Sequence, residues 1–181
     1  MDPYKLHEPA KSRYDIRAEG EADRDAIRRV NARAFGRANE AQLVDALRAS
    51  TSFVPELSLV AVDDARVLGH ILFSRIHIRT PERSVPALAL APVAVLPECQ
   101  NHGVGSALIR RGLEECRRFG HRIVVVVGHP NYYPRFGFSP ARAKGLDAPF
   151  PDRAFMVREL VPGALDGVCG RVEYPPAFAA V

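Results

Sequence analysis

The chain is poor in cysteine and has no long apolar run. Cys99, Cys116 and Cys169 are its only cysteines among 181 residues. An odd count without framework spacing excludes a disulfide scaffold and leads to the expectation of a reduced, cytoplasmic protein. The longest apolar stretch, Ala87 to Pro97, contains Pro92 and Pro97 and is too short to span a bilayer. Met1 to Glu21 is charged and carries no apolar h-region, so no secretory signal is visible. Internal repeats and low-complexity tracts are absent as well. What is present is ordinary globular composition, 47% hydrophobic and 25% charged. The length fits one compact domain, here expected over 13–181 behind a polar, fraying segment at 1–12.

Lysine and arginine number 25 against 21 acidic residues, a net charge of +4. A basic balance raises the question of nucleic acid. The arginines are scattered, however: Arg28, Arg29, Arg33 and Arg37 alternate with Asp23, Asp25 and Glu40. Solvated helix faces together with a small anionic ligand account for this pattern better than a duplex-binding stripe does.

Hydrophobic period divides the chain into elements. Tyr14 to Ala18 alternates as a short strand. Asp23 is placed to cap a helix with Ile27, Val30 and Phe35 on one side, and a second helix runs from Glu40 to Ala49. Leu57 to Val62 and Val67 to Ile78 form a hairpin around Asp63-Asp64, and Val85 to Leu96 is a further extended segment. Gly103 to Phe119 is helical with Val104, Ala107, Leu108 and Cys116 on one face. Ile123 to Val127 reads as a strand buried on both faces, which completes a βαβ unit with a parallel pair. Late strands are expected near Phe155 to Leu160 and Val168 to Tyr174. The fold class is α/β, with a mixed sheet.

Gln100-Asn101-His102-Gly103-Val104-Gly105-Ser106 joins an apolar strand to a helix N-terminus. Unpaired N–H groups and the helix dipole suit that turn to phosphate or pyrophosphate, and its two glycines allow close approach. A dinucleotide fingerprint fails, because Leu108 stands where a third glycine is needed, and the lysine of a P-loop is missing. Upstream, Pro92 interrupts what reads as a central strand, as at a bulge or where neighbouring strands part. A strand that splays from its partner leaves Val93, Ala94 and Val95 free to pair with the polar arm of a long ligand whose phosphates rest on residues 101–106.

The run Val93-Ala-Val-Leu-Pro-Glu-Cys-Gln-Asn-His-Gly-Val-Gly-Ser-Ala-Leu108 resembles the coenzyme A motif of the GCN5-related N-acetyltransferases (GNAT), Gln/Arg-x-x-Gly-x-Gly/Ala behind the fourth strand. Tyr132-Tyr-Pro-Arg-Phe-Gly-Phe138 is similar to that family's later Tyr-x-x-x-Gly-Phe element. The likeness extends over residues 14 to 140. Gly69-His-Ile-Leu-Phe-Ser74 and Tyr174-Pro-Pro-Ala-Phe178 resemble its bacterial YhbS-like branch of predicted N-acetyltransferases. The resemblance implies a single GNAT domain whose fourth and fifth strands splay between flanking helices. It implies acetyl-CoA as donor, bound by Val93, Ala94, Val95, Gln100, Asn101, His102, Gly103, Val104, Gly105 and Ser106, with the Val93 N–H polarising the thioester. It also implies direct transfer to an amine in a ternary complex and, as in many relatives, a homodimer.

Tyr133 falls where the family's general acid lies; the alternative is an aromatic packed beside the pantetheine arm. Tyr132 is expected in the core. Val85 to Leu96 holds no acid, so the family's strand-four base is missing. Glu40, His70 and His129 remain as candidates beside a water relay, and no base is assigned. His102 is expected to act through its main chain, and Arg110 and Arg111 to be solvated. The cysteines lack nucleophile spacing and the histidines lack ligand spacing, so neither a ping-pong thiol nor a metal is expected. Two rival functions stand beside the acetyltransferase: a non-catalytic coenzyme A sensor, and a basic nucleic-acid-associated protein. The acceptor is expected to be chosen by residues 20–80 and a loop near 143–151.

Overall fold

The computed structural model describes residues 14–180; the segment expected to fray, 1–12, lies outside them. In chain order the described residues form β1 (Asp15–Ala18), α1 (Arg24–Phe35), α2 (Asn39–Arg48), β2 (Ser58–Asp63), β3 (Arg66–Arg79), β4 (Ser84–Val95), α3 (Val104–Arg118), β5 (Ile123–Val127), β6 (Ser139–Pro140), β7 (Leu146–Asp147), β8 (Phe155–Glu159) and β9 (Gly170–Glu173), with short 3-10 turns between them. The strands make one mixed sheet ordered β1-β2-β3-β4-β5-β8-β6, while β9 joins the far end of β3 and carries β7. All neighbours on the main path are antiparallel except β4 and β5, the parallel pair that the βαβ pattern predicts.

Strand alternation assigns the two faces. Ile71, Phe73, Leu88, Leu90, Val124 and Val126 pack toward α3 against Leu108, Ile109 and Leu113. Each of those α3 side chains contributes about 1.5–3 kcal/mol by leaving water. The opposite face carries Leu72, Ala94 and Val60 beneath α1 and α2, where Ile27, Val30, Leu43 and Leu47 meet them. Further along that face, Ala89 and Val125 pack with Phe155, Leu165 and Val172.

Two local expectations need correction. Asp23 does not cap α1. Its carboxylate accepts the Gly20 N–H at 2.7 Å and the Arg17 guanidinium at 2.6 and 3.0 Å, closing the turn before the helix and tying it to β1. Phe35, placed with Ile27 and Val30 by helical period, is 42% exposed, because α1 ends there and the side chain overhangs a cleft. Val127 is 40% exposed for a related reason: β5 outruns its partner β4 at that point.

Candidate active site

The parallel pair is short. Leu88, Ala89 and Leu90 of β4 face Val124, Val125 and Val126 of β5, and the pairing stops there. Ile71 faces Val93 while Phe73 faces Leu90, so Ala91 and Pro92 together stand opposite one residue of β3. This is a bulge at the proline, as the sequence predicts. Past it β4 stays with β3 and β5 diverges. Leu96 N–H donates to the Leu68 carbonyl on the β3 side at 2.9 Å. Backbone alternation therefore turns the main chains of Val93 and Val95 to the vacated side. The Val95 carbonyl there accepts the Gln100 side-chain amide at 3.1 Å.

The gap opens into a cleft of about 980 Å³. Val93, Val95, Gln100, Asn101, Gly103, Gly105 and Ser106 line it, whereas Ala94, His102 and Val104 do not. Ala94 points through to the other face and is fully buried opposite His70. Val104 turns its side chain into the core, 3% exposed, which leaves its main chain to the turn. His102 holds its Nδ1 at 2.7 Å from the Gln100 carbonyl, on its own turn. At the helix start, Asn101 and Gly103 have φ of 63° and 86°, and Ala107 N–H is bonded to the Gly103 carbonyl at 2.9 Å. Val104, Gly105 and Ser106 thus supply first-turn N–H groups without an intrahelical acceptor. No acidic side chain occupies that first turn, so its positive potential is uncompensated.

Both tyrosines line the cleft. Tyr133 packs its ring on Gly128, and burial pushes its hydroxyl up to about 12, so it remains protonated at neutral pH. Tyr132, expected in the core, packs there in part but also brings its hydroxyl to 3.4 Å from the Ser106 hydroxyl. Arg135 stacks over the Tyr132 ring at 4.3 Å. Neither contact is visible in the sequence, since each depends on how the turn at residues 133–136 folds back on α3.

The other wall comes from distant segments. Phe35, Arg37, Glu40 and Leu43 enter from α1, α2 and the loop between them, Phe150 from the segment after β7, and Tyr174 and Phe178 from the segment after β9. The Tyr174 ring meets Phe150 edge-on at 5.4 Å and Phe178 at 5.1 Å. The Glu40 side chain, 6% exposed, is gripped through both oxygens by Arg37.

The base candidates separate on geometry. Glu40 and His129 line the cleft; His70 does not. His70 is fully buried beneath α1, bonded to Asn31 and Ser58 at 3.2 and 3.0 Å. Burial holds its ring neutral despite Glu19 at 3.6 Å. Glu98 is exposed, paired to Arg33 and Arg66. Cys116 is buried in the core, where desolvation drives its thiol far above the usual range, so it is no nucleophile. Among the described residues no group of three His, Cys, Asp or Glu side chains is arranged to hold a metal, and no helix is long and apolar enough to cross a membrane.

Comparison with known proteins decides the family. The acetyltransferase (GNAT) domain family matches over residues 15–141. The chain belongs to the GNAT family. It is 47% identical over 131 residues to the uncharacterized N-acetyltransferase YjhQ of Escherichia coli K12, covering 72% of each protein. Among solved GNAT structures, YhbS from Escherichia coli in complex with CoA superposes with a TM-score of 0.86 at 33% identity, over 96% of both chains. A GNAT acetyltransferase from Brucella melitensis in complex with acetyl-CoA gives 0.76 at 36% identity, over 91% of this chain and 97% of that one. The mixed sheet with its parallel β4–β5 pair is thus a GNAT sheet.

Proposed function

We propose that the protein binds acetyl-CoA in the β4–β5 gap and transfers the acetyl group directly to a primary amine. One observation carries this reading: a single cleft joins the α3 N-terminus on one sheet face to a separate, aromatic wall on the other. A donor and an acceptor can therefore enter from opposite sides and meet at the gap. The bound CoA and acetyl-CoA of the two GNAT relatives support the donor assignment.

In this reading the pantetheine arm pairs with the main chains of Val93 and Val95 on the vacated side, taking over at the Val95 carbonyl from the Gln100 amide that it now accepts. The pyrophosphate sits on the N–H groups of residues 103–106. The Val93 N–H donates to the thioester oxygen, where negative charge develops. The amine nitrogen attacks the carbonyl carbon; the C–N bond forms, the C–S bond breaks, and its electron pair stays on sulfur. One proton leaves the nitrogen for solvent in the open cleft and one returns to sulfur. Tyr133, protonated at neutral pH, serves the sulfur end. A thiol's ordinary pKa is about 8.5, so complete transfer from a hydroxyl at about 12 is uphill by roughly 3–4 units, or ~5 kcal/mol. Its contribution is a hydrogen bond to sulfur as charge develops. Holding both reactants in one cleft supplies the remainder through orientation.

The absence of any acidic residue on β4 favours a second reading, a non-catalytic acyl-CoA-binding module. Amine-dependent thiol release from acetyl-CoA separates the two. The acetyltransferase reading predicts release with intersecting initial-rate lines for donor and acceptor, and a drop of about 10- to 100-fold in kcat for Tyr133→Phe at unchanged acetyl-CoA affinity, the scale of a hydrogen bond to a charged group. Tight acetyl-CoA binding with no thiol released across a broad amine panel selects the binding module instead.

A further inference from the structure

The acceptor wall has an unusual charge arrangement. Glu40 is the one acidic side chain lining the cleft among the described residues, and it is more than nine-tenths buried with a partner already in place. That partner, Arg37, forks onto both carboxylate oxygens yet keeps 55% of its side chain exposed. Around the pair the wall is apolar: Phe35 and Leu43 beside it, Phe150, Tyr174 and Phe178 beyond. A ligand bringing only an ammonium would draw Glu40 away and leave Arg37 without its anion. A ligand bringing only a carboxylate would do the converse to Glu40, which is buried and so bears the larger cost. A ligand carrying both charges on neighbouring atoms satisfies both sides at once, each through charge-assisted hydrogen bonds. Polyamines and lysine-rich peptides need several carboxylates, and the cleft has one.

We propose that the acceptor is a free α-amino acid with an apolar side chain. Its carboxylate is held by Arg37, its amino group by Glu40, and its side chain lies against the Phe150–Tyr174–Phe178 wall. This rests on the acetyl-transfer reading and names the substrate class of that same site. The α-ammonium first gives one proton to solvent, which frees the nitrogen lone pair; the bonds made and broken are then those given above, with the α-nitrogen as nucleophile.

The test measures acetyl-CoA-dependent thiol release with L-phenylalanine, L-phenylalaninamide, phenethylamine and spermidine, beside calorimetric titration of acetyl-CoA. The proposal predicts kcat/KM for phenylalanine about 10- to 100-fold above the amide and phenethylamine, the scale of a hydrogen bond to a charged group. Arg37→Gln should collapse the acid-to-amide ratio to near one, with acetyl-CoA affinity at the native level showing the fold intact. Equal or better rates with phenethylamine, the amide or spermidine overturn the proposal. So does acetyl-CoA binding without transfer to any of the four. Failure of acetyl-CoA to bind overturns the underlying donor reading instead, and the titration tells these cases apart.

Discussion

At the scale of single residues, two glycines in the site are constrained for different reasons. Gly103 has φ +86° and open space where a Cβ would stand, so only its backbone conformation demands glycine. Gly103→Ala should cost about 1–2 kcal/mol for the left-handed conformation, read by thermal unfolding, and should weaken acetyl-CoA binding as the first-turn N–H groups shift. At Gly128 the conflict is spatial, since a Cβ would lie 2.2 Å from Cε2 of Tyr133. Gly128→Ala should displace that ring, costing about 1–3 kcal/mol in stability and lowering kcat far more than acetyl-CoA affinity. Tyr133 also fixes a pH expectation. Its hydroxyl titrates near 12, so kcat should show no loss of the acid between pH 7 and 10. A Tyr133→Phe profile should be lower but parallel over that range, and a native fall near pH 9 that the variant lacks would contradict the assignment. Gly103 and Tyr133 were legible in the chain because motif spacing marks them. Gly128 was not, because its partner is a ring that reaches it only through the fold of the 133–136 turn.

Elements are joined by buried polar contacts as well as by apolar packing. Glu19, Arg48, Ser58 and His70 connect the segment after β1 with α2, β2 and β3. Burial alone would raise the Glu19 carboxyl, but hydrogen bonds from His70, Arg48 and Ser58 prevail and hold it down to about 2. Asn31 donates one amide hydrogen to the Ile27 carbonyl at 2.9 Å and meets the His70 Nδ1 at 3.2 Å, which leaves Nε2 as the ring's donor. Because the folded Glu19 pKa is depressed, its stabilisation is complete above the ordinary value of 4.5 and is lost as pH falls toward 2. His70 acts in the same sense. Burial lowers its pKa, so below 6.5 the unfolded chain takes up a proton that the folded chain refuses. Melting temperature should therefore decline from pH 7 to pH 3, and Glu19→Gln should flatten the lower part of that decline. The same substitution should cost about 3–5 kcal/mol at pH 7, since it leaves Arg48 partly buried without its main anion. Periodicity made the elements legible, the β4–α3–β5 unit most clearly, because each is a local pattern of burial. It misplaced the cap at Asp23, since the competing partner Arg17 lies across the turn on another element.

For the whole molecule, the consequential feature is that one gap in the sheet serves two faces. Half of the cleft was legible: Pro92 pointed to the bulge, and the glycines of the turn at 100–106 to the open N–H groups at the helix start. The other half was not. Phe35, Glu40, Phe150, Tyr174 and Phe178 are spread over 144 positions and carry no motif, and only the path of the chain around the sheet brings them to one wall. The segments expected to choose the acceptor, 20–80 and 143–151, include Phe35, Glu40 and Phe150 of this wall but not Tyr174 and Phe178. Isothermal titration of acetyl-CoA into the native protein and into a Gly103→Trp, Gly105→Trp double variant tests the central claim most directly. The account predicts saturable, one-to-one binding to the native protein, abolished in the variant by two indoles standing where the pyrophosphate rests. Absence of binding to the native protein, or equal binding to both, would contradict it.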